Sequence, residues 1–217
     1  PFVSGLPARM PSGKLVIGHF GSLSPTRNLA RIVEAFETLH ERAPQILQDL
    51  DLHIYGGPLD EISARQIQSS VTRSHFHHFG RVEADPISGM SGRARILQTM
   101  RSMDVLLLLH GEEPICEEYI PSKMYEYFWM QRPILAQVHR NPQMAAMLKA
   151  EKHLVIETGL SLSSDAQMRY EIASALESLW RAWKVDGLSD NAVQSPFTMK
   201  STVAELLKLS NKLISSK

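Results

Sequence analysis

The feature that most constrains this chain is the unbroken apolar run Val105–Leu109, VLLLL, with an acidic loop and a helix start directly after it. Five residues are far too few to cross a bilayer, which takes about 20, so the run reads as a strand buried on both faces of a parallel sheet. Beyond the polar, acidic loop comes Pro121-Ser122, a helix start with Ser122 as the expected N-cap. Pro133 ends that helix, and residues 134–138 form the next buried strand. Strand, loop, helix and strand make half of a doubly wound sheet, in which ligands sit outside the carboxyl ends of the strands.

The same alternation runs along the chain. Residues 14–20 predict a strand, followed by the turn GSLSPTRN and a helix over 28–42 with Leu29, Ile32, Val33, Phe36 and Leu39 on one face. A second strand over 51–55 ends in Gly56-Gly57-Pro58, and a polar helix spans 59–73. A short third strand over 75–79 closes on Gly80-Arg81-Val82. A loop over 83–92 leads to a helix over 93–103. After residue 138 come a short helix to 150, a strand over 153–157, a long helix over 167–184 and a terminal helix over 197–214. The fold class expected is α/β, a single Rossmann-like parallel sheet of about six strands covered on both faces. Residues 1–13 read as a linker, 14–184 as the domain, and 185–217 as a loop and bracing helix.

Chemistry concentrates at Ser122. The N–H groups of a helix's first turn and the positive end of its dipole can hold phosphate, and Lys123 adds a full charge. Glu126 lies one turn further in, where a carboxylate can accept both hydroxyls of a ribose. Glu118 precedes it by eight positions and faces the other end of the same ligand. Near the first turn, Gly21 lets a phosphate approach the backbone closely. The turn is not G-x-G-x-x-G, which argues against a nicotinamide enzyme.

Taken in this order, the buried strand, acidic loop, IPSKMYEY and RPILA resemble the donor-binding half of GT-B glycosyltransferases, in particular the family 4 retaining group. The resemblance implies that Glu118 contacts the donor sugar and Glu126 the ribose. GSLSPTRN resembles the family's first loop, with Gly21, Leu23, Ser24 and Pro25 matching. Arg27 then takes the place of a Lys that contacts the donor diphosphate, and Ser22 stands where an Arg is usual. That loses a charge at the diphosphate: either Lys123 compensates or the domain is catalytically weak. Gly57 falls in a turn similar to the family's G-x-GP, and Arg81 and Val82 in its G-x-V turn beside the nucleotide base. His110, just past the central strand, is either a neighbour of the donor sugar or a loop residue without a role.

The resemblance implies Arg27, Lys123 and Glu118 as catalytic residues and transfer of a sugar from a nucleoside diphosphate sugar to a glycan or lipid-linked acceptor. No cofactor is required by it, and GT-B enzymes work without an essential metal. The acceptor-binding N-terminal domain is expected as a partner, with peripheral membrane association through that half, and the fragment alone is expected to be inactive. A degenerate binding or assembly module and half of a nucleotide-sugar epimerase stay open as alternatives. A formal net charge of zero argues against a nucleic-acid binder. A lone cysteine, Cys116, excludes an internal disulfide and suits a reducing cytoplasm. His75 and His77 share a strand face in this reading, but no carboxylate stands at a familiar ligand spacing, so no metal is expected.

Overall fold

In the computed structural model, which describes residues 13–159, 164–188 and 207–208, Val105–Leu109 forms a strand buried along its whole length. With apolar side chains on both sides it can lie only at the centre of a sheet covered on both faces. Around it β1 (Leu15–Phe20), β2 (Leu50–Tyr55), β3 (Phe76–Gly80), β4 (Val105–Leu109), β5 (Ile134–His139) and β6 (Leu154–Thr158) pair in the order β3-β2-β1-β4-β5-β6. Every pairing is parallel. The order reverses between β1 and β4, which places the topological switch point beside their carboxyl ends.

Helices α1 (Ala30–Arg42), α2 (Pro44–Leu47), α3 (Glu61–Ser69), α4 (Gly92–Ser102), α5 (Ser122–Trp129) and α6 (Pro142–Ala150) connect the strands, and α7 (Asp165–Asp186) follows β6. On one face Ile32 and Phe36 of α1 and Ile172 and Leu176 of α7 pack on Ile17, Leu52 and Leu107. On the other, Met124 and Tyr127 of α5 and Met144 of α6 pack on Phe20, Leu106 and Leu108. Tyr127 is fully buried; its hydroxyl donates to the Leu107 carbonyl at 3.4 Å and accepts from the Phe20 N–H at 3.2 Å. Such a hydroxyl is tolerated inside because both its roles are met.

A strand of five apolar residues has no alternation to fix its register. Its start is fixed by Asp104 instead. The Asp104 carboxylate accepts the Val16 N–H at 2.7 Å, and the Asp104 N–H donates to the Val16 carbonyl at 2.9 Å. This clasp sets Ile17 opposite Val105 and His19 opposite Leu107.

Several boundaries move from the sequence-based expectation. The helix expected over 59–73 is shorter because Asp60 caps it, accepting from the Ile62 and Ser63 N–H groups, and a 3-10 turn takes Arg73–His75. His75 therefore lies before β3 and not within it. The short α2, started by Pro44, is an added element. The loop over 83–92 ends in Ser91, whose side chain caps α4. Ser122 is not an N-cap: Pro121 occupies that position, and Ser122 is the first helical residue, exposed. Proline fixes the entering backbone but carries no capping oxygen, so the start of α5 has no side-chain cap. The linker expected over 1–13 and the terminal helix expected over 197–214 lie outside the described residues, apart from Gly13 and a helical Leu207–Lys208 pair. Among the described residues no helix is long and apolar enough to cross a membrane.

Candidate functional site

The carboxyl ends of β1 and β2 run straight into glycine turns that touch each other. Gly21 continues β1 at φ +127°, donating its N–H to the Tyr55 carbonyl at 2.8 Å. Gly56 continues β2 at φ +154°, and a Cβ there would lie 2.2 Å from the Gly21 carbonyl oxygen. Nothing flexible can yield, because the obstacle is backbone. Gly56→Ala is expected to destabilise the protein by about 1–3 kcal/mol, the usual cost of overpacking; an unchanged urea midpoint would refute the close approach.

Over Gly21 sits the Lys123 ammonium: a Cβ on Gly21 would meet Lys123 Nζ at 2.1 Å. Lys123 is half-buried, and burial together with the nearby Arg27 guanidinium holds its pKa down at about 8. Among the described residues no salt bridge reaches Lys123. Arg27 is placed by a closed turn, in which the Ser24 and Arg27 N–H groups donate to each other's carbonyls at 2.9 and 3.0 Å. Its Nε donates to the Ser22 carbonyl at 3.2 Å. Gly57 borders the Ser22 side chain, 3.8 Å from where its Cβ would stand. The structure thus brings Gly21, Ser22, Arg27, Gly57 and Lys123 together from three separate stretches of sequence.

Arg27 also lines a cleft over the ends of β4, β5 and β6, together with Thr26, Arg31, His110, Glu112 and Thr158. His110 is buried there and fully engaged: its Nδ1 accepts the His139 N–H at 3.3 Å, and Nε2 donates to the Tyr119 carbonyl at 3.1 Å. Burial lowers its pKa, so the neutral ring is a tie between β5 and the acidic loop. Glu126 pairs with Arg93 of α4 at 2.9 Å, so the carboxylate expected at the ribose already holds a cation. Glu118 stands exposed just after the 3-10 turn Pro114–Glu117.

The carboxylate packed against the first turn is Glu113, which accepts a hydrogen bond from the Thr26 hydroxyl. That hydrogen bond, above all, holds the Glu113 pKa low. The Cys116 thiol donates to Glu113 at 3.5 Å, and burial pushes its pKa up, which makes it a poor nucleophile. Sequence reasoning missed Glu113 because its partner lies 87 positions away. It missed the partners of Glu126 and of the strand histidines for the same reason. A carboxylate does join the histidines: Asp51 lies beside His53 and His77 on the neighbouring strand. No familiar spacing along the sequence joins a carboxylate to both histidines; the β2–β3 pairing does. His75, set before the strand, has its Nδ1 committed to the Leu50 carbonyl at 3.0 Å.

No protein-family model matches the chain, and no curated protein matches it. Solved structures do. The pneumococcal O-GlcNAc transferase GtfA, in complex with UDP and GlcNAc, matches over 95% of this chain and 38% of its own, with TM-score 0.63 and 13% identity. WaaG, a glycosyltransferase involved in lipopolysaccharide biosynthesis, matches over 87% and 48%, with TM-score 0.52 and 15% identity. This is the fold of a GT-B half domain. A Listeria monocytogenes protein assigned as a UDP-N-acetylglucosamine 2-epimerase matches over 95% of this chain and 46% of its own, with TM-score 0.50 and 9% identity. The chain spans less than half the length of each of these three proteins.

Of the remaining site residues expected from sequence, Arg81 and Val82 fall outside the Lys123 cluster. Arg81 is exposed in the segment after β3, and Val82 presents its carbonyl to the start of α4, 3.0 Å from where a Cβ on Gly92 would stand. Ser122 and Glu126 lie on the first two turns of α5, beside Lys123.

Proposed function

We propose that this domain binds the donor of a glycosyltransferase, a nucleoside diphosphate sugar. The carrying observation is the Lys123 ammonium seated over the bare backbone of Gly21 beside Arg27, at the switch point of the sheet. Two cations that form no salt bridge among the described residues, beside a helix start with no side-chain cap, suit a diphosphate. In this reading the diphosphate bridges Lys123 and Arg27, Glu126 takes the ribose hydroxyls after releasing or sharing Arg93, and Arg81 and Val82 flank the base. Glu118 reaches the sugar when the acidic loop folds inward. The two cations offset the charge that develops on the diphosphate as the glycosidic bond breaks, which is where such a site gains rate. The acceptor, a glycan or lipid-linked hydroxyl, is held by a further domain, with which the protein works at the cytoplasmic face of a membrane. No metal or cofactor takes part in this transfer.

The test is calorimetric titration with UDP, GDP and ADP, UDP first because it is the nucleotide in the GtfA structure. One of them is expected to bind, and Glu126→Ala to weaken it about tenfold or more, the worth of a charged hydrogen bond. Binding of none, by this chain or by a longer one carrying the acceptor half, would refute the reading. A second reading is a module that binds donor without transferring sugar, favoured by the uncharged Ser22 at the diphosphate turn. Donor binding with no transfer by the longer protein would select it.

A further inference from the structure

We propose that Asp51, His53 and His77 form a binding site for a divalent transition metal of the zinc class, on the open face of the β2–β3 edge and apart from the nucleotide cleft. His53 and His77 are register partners in the parallel β2–β3 pair, so their rings project side by side from one face. Their centroids are 5.3 Å apart, with planes at 81°. Asp51 lies two residues before His53 and so on the same face. One ligand atom from each of the three lies within 4.8 Å of the others. Two imidazoles and a carboxylate are the donor set that zinc takes in three-ligand sites, with water in the fourth position. Tetrahedral binding at about 2.0–2.2 Å needs the three atoms drawn in to roughly 3.5 Å, a movement that rotation of side chains supplies.

A second observation points at a ligand. The Nε2 of His77 is shielded from solvent and has no hydrogen-bond partner among the described residues. It lies 3.5 Å from Asp51 Oδ1, outside bonding geometry but aimed at the same small volume. Native proteins rarely leave such an atom orphaned without a reason. The Asp51 charge is balanced by Lys14, whose Nζ lies 2.9 Å from Oδ1. Lys14 is thus a built-in competitor, swinging out when the metal arrives. His75 is no fourth ligand through Nδ1, because that nitrogen donates to the Leu50 carbonyl. The site joins the edge strand β3 to β2, whose pairing is already irregular at Ile54/Tyr55, and so would clamp that edge.

The experiment is titration of metal-stripped protein with ZnCl2 by calorimetry and with CoCl2 by visible absorption, with thermal unfolding followed in parallel. One equivalent is expected to bind, with a tetrahedral cobalt spectrum and a raised Tm for the zinc form. His53→Ala and His77→Ala, on separate strands, should each weaken binding by about tenfold or more, on the scale of ligand-shell losses. Lys14→Ala should tighten it several-fold, a change that a merely structural role for the cluster does not produce. His40→Ala, at an exposed position on α1, controls for adventitious imidazole binding and should change nothing. Stoichiometric binding that survives in the folded His53→Ala/His77→Ala double variant would overturn the proposal, as would zinc binding no tighter to the wild type than to that variant.

Discussion

Lys123→Met is expected to lower affinity for the bound nucleoside diphosphate by about 2–3 kcal/mol, roughly thirty- to 150-fold, as loss of a charged hydrogen-bond donor does. The corresponding nucleoside, which lacks phosphate, should bind the variant and the wild type alike. The fold should not suffer, because burial already penalises the Lys123 ammonium and its removal leaves no carboxylate unpaired. The same residue predicts a pH dependence. Its pKa is held near 8 in the free protein, and an anion beside it would raise that value. Affinity is therefore full below about pH 8 and falls as pH rises from there towards the pKa of the complex, by up to about tenfold per pH unit. In Lys123→Met that slope should vanish. Equal affinities for variant and wild type, or a wild-type affinity flat from pH 7 to pH 9, would remove Lys123 from the site.

A second large effect is acid destabilisation well above the carboxylate range. His19 is fully buried in β1, and burial, with Lys123 and Arg27 nearby, lowers its pKa to about 3. His153, stacked on Phe128, is lowered by burial to about 4. In the unfolded chain both titrate near 6.5, so as pH falls below that value the unfolded state takes up protons first. The stability these neutral rings contribute is fully present above pH 6.5 and lost progressively down to pH 4 and 3. At pH 5 the loss is about 2 kcal/mol from each ring, and paired carboxylates have not yet begun to titrate. Urea unfolding at pH 7 and pH 5 should show a drop of several kcal/mol; coincident curves would mean that both rings accept a proton inside the fold.

Element types were legible in the sequence because they are local. The helical spacing of Leu29, Ile32, Val33, Phe36 and Leu39 predicts a face, and all five side chains are buried. The VLLLL run predicts a central parallel strand, and the parallel six-stranded sheet contains it. Boundaries were less legible where a cap decided them, as at Asp60 and at Pro121. The candidate site was legible only as a set of separate turns. The approach of Lys123 to Gly21 joins residues about a hundred positions apart, and the Glu126–Arg93 and Thr26–Glu113 pairs are equally non-local. Cross-strand register alone put Asp51 and His53 beside His77, a relation that no spacing along one strand encodes.

The Asp104 clasp on Val16 sits at the amino end of the sheet, yet it governs alignment at the opposite rim. Arg27 follows the far end of β1, and Lys123 follows the far end of β4. The smooth leucine surface between them offers no notch to stop one strand sliding along the other. A slip of one residue would displace one cation relative to the other by about 3.3 Å, more than the length of a hydrogen bond. The tolerance of the mouth is thus machined at the base of the molecule, by one carboxylate that no ligand at the mouth needs to touch.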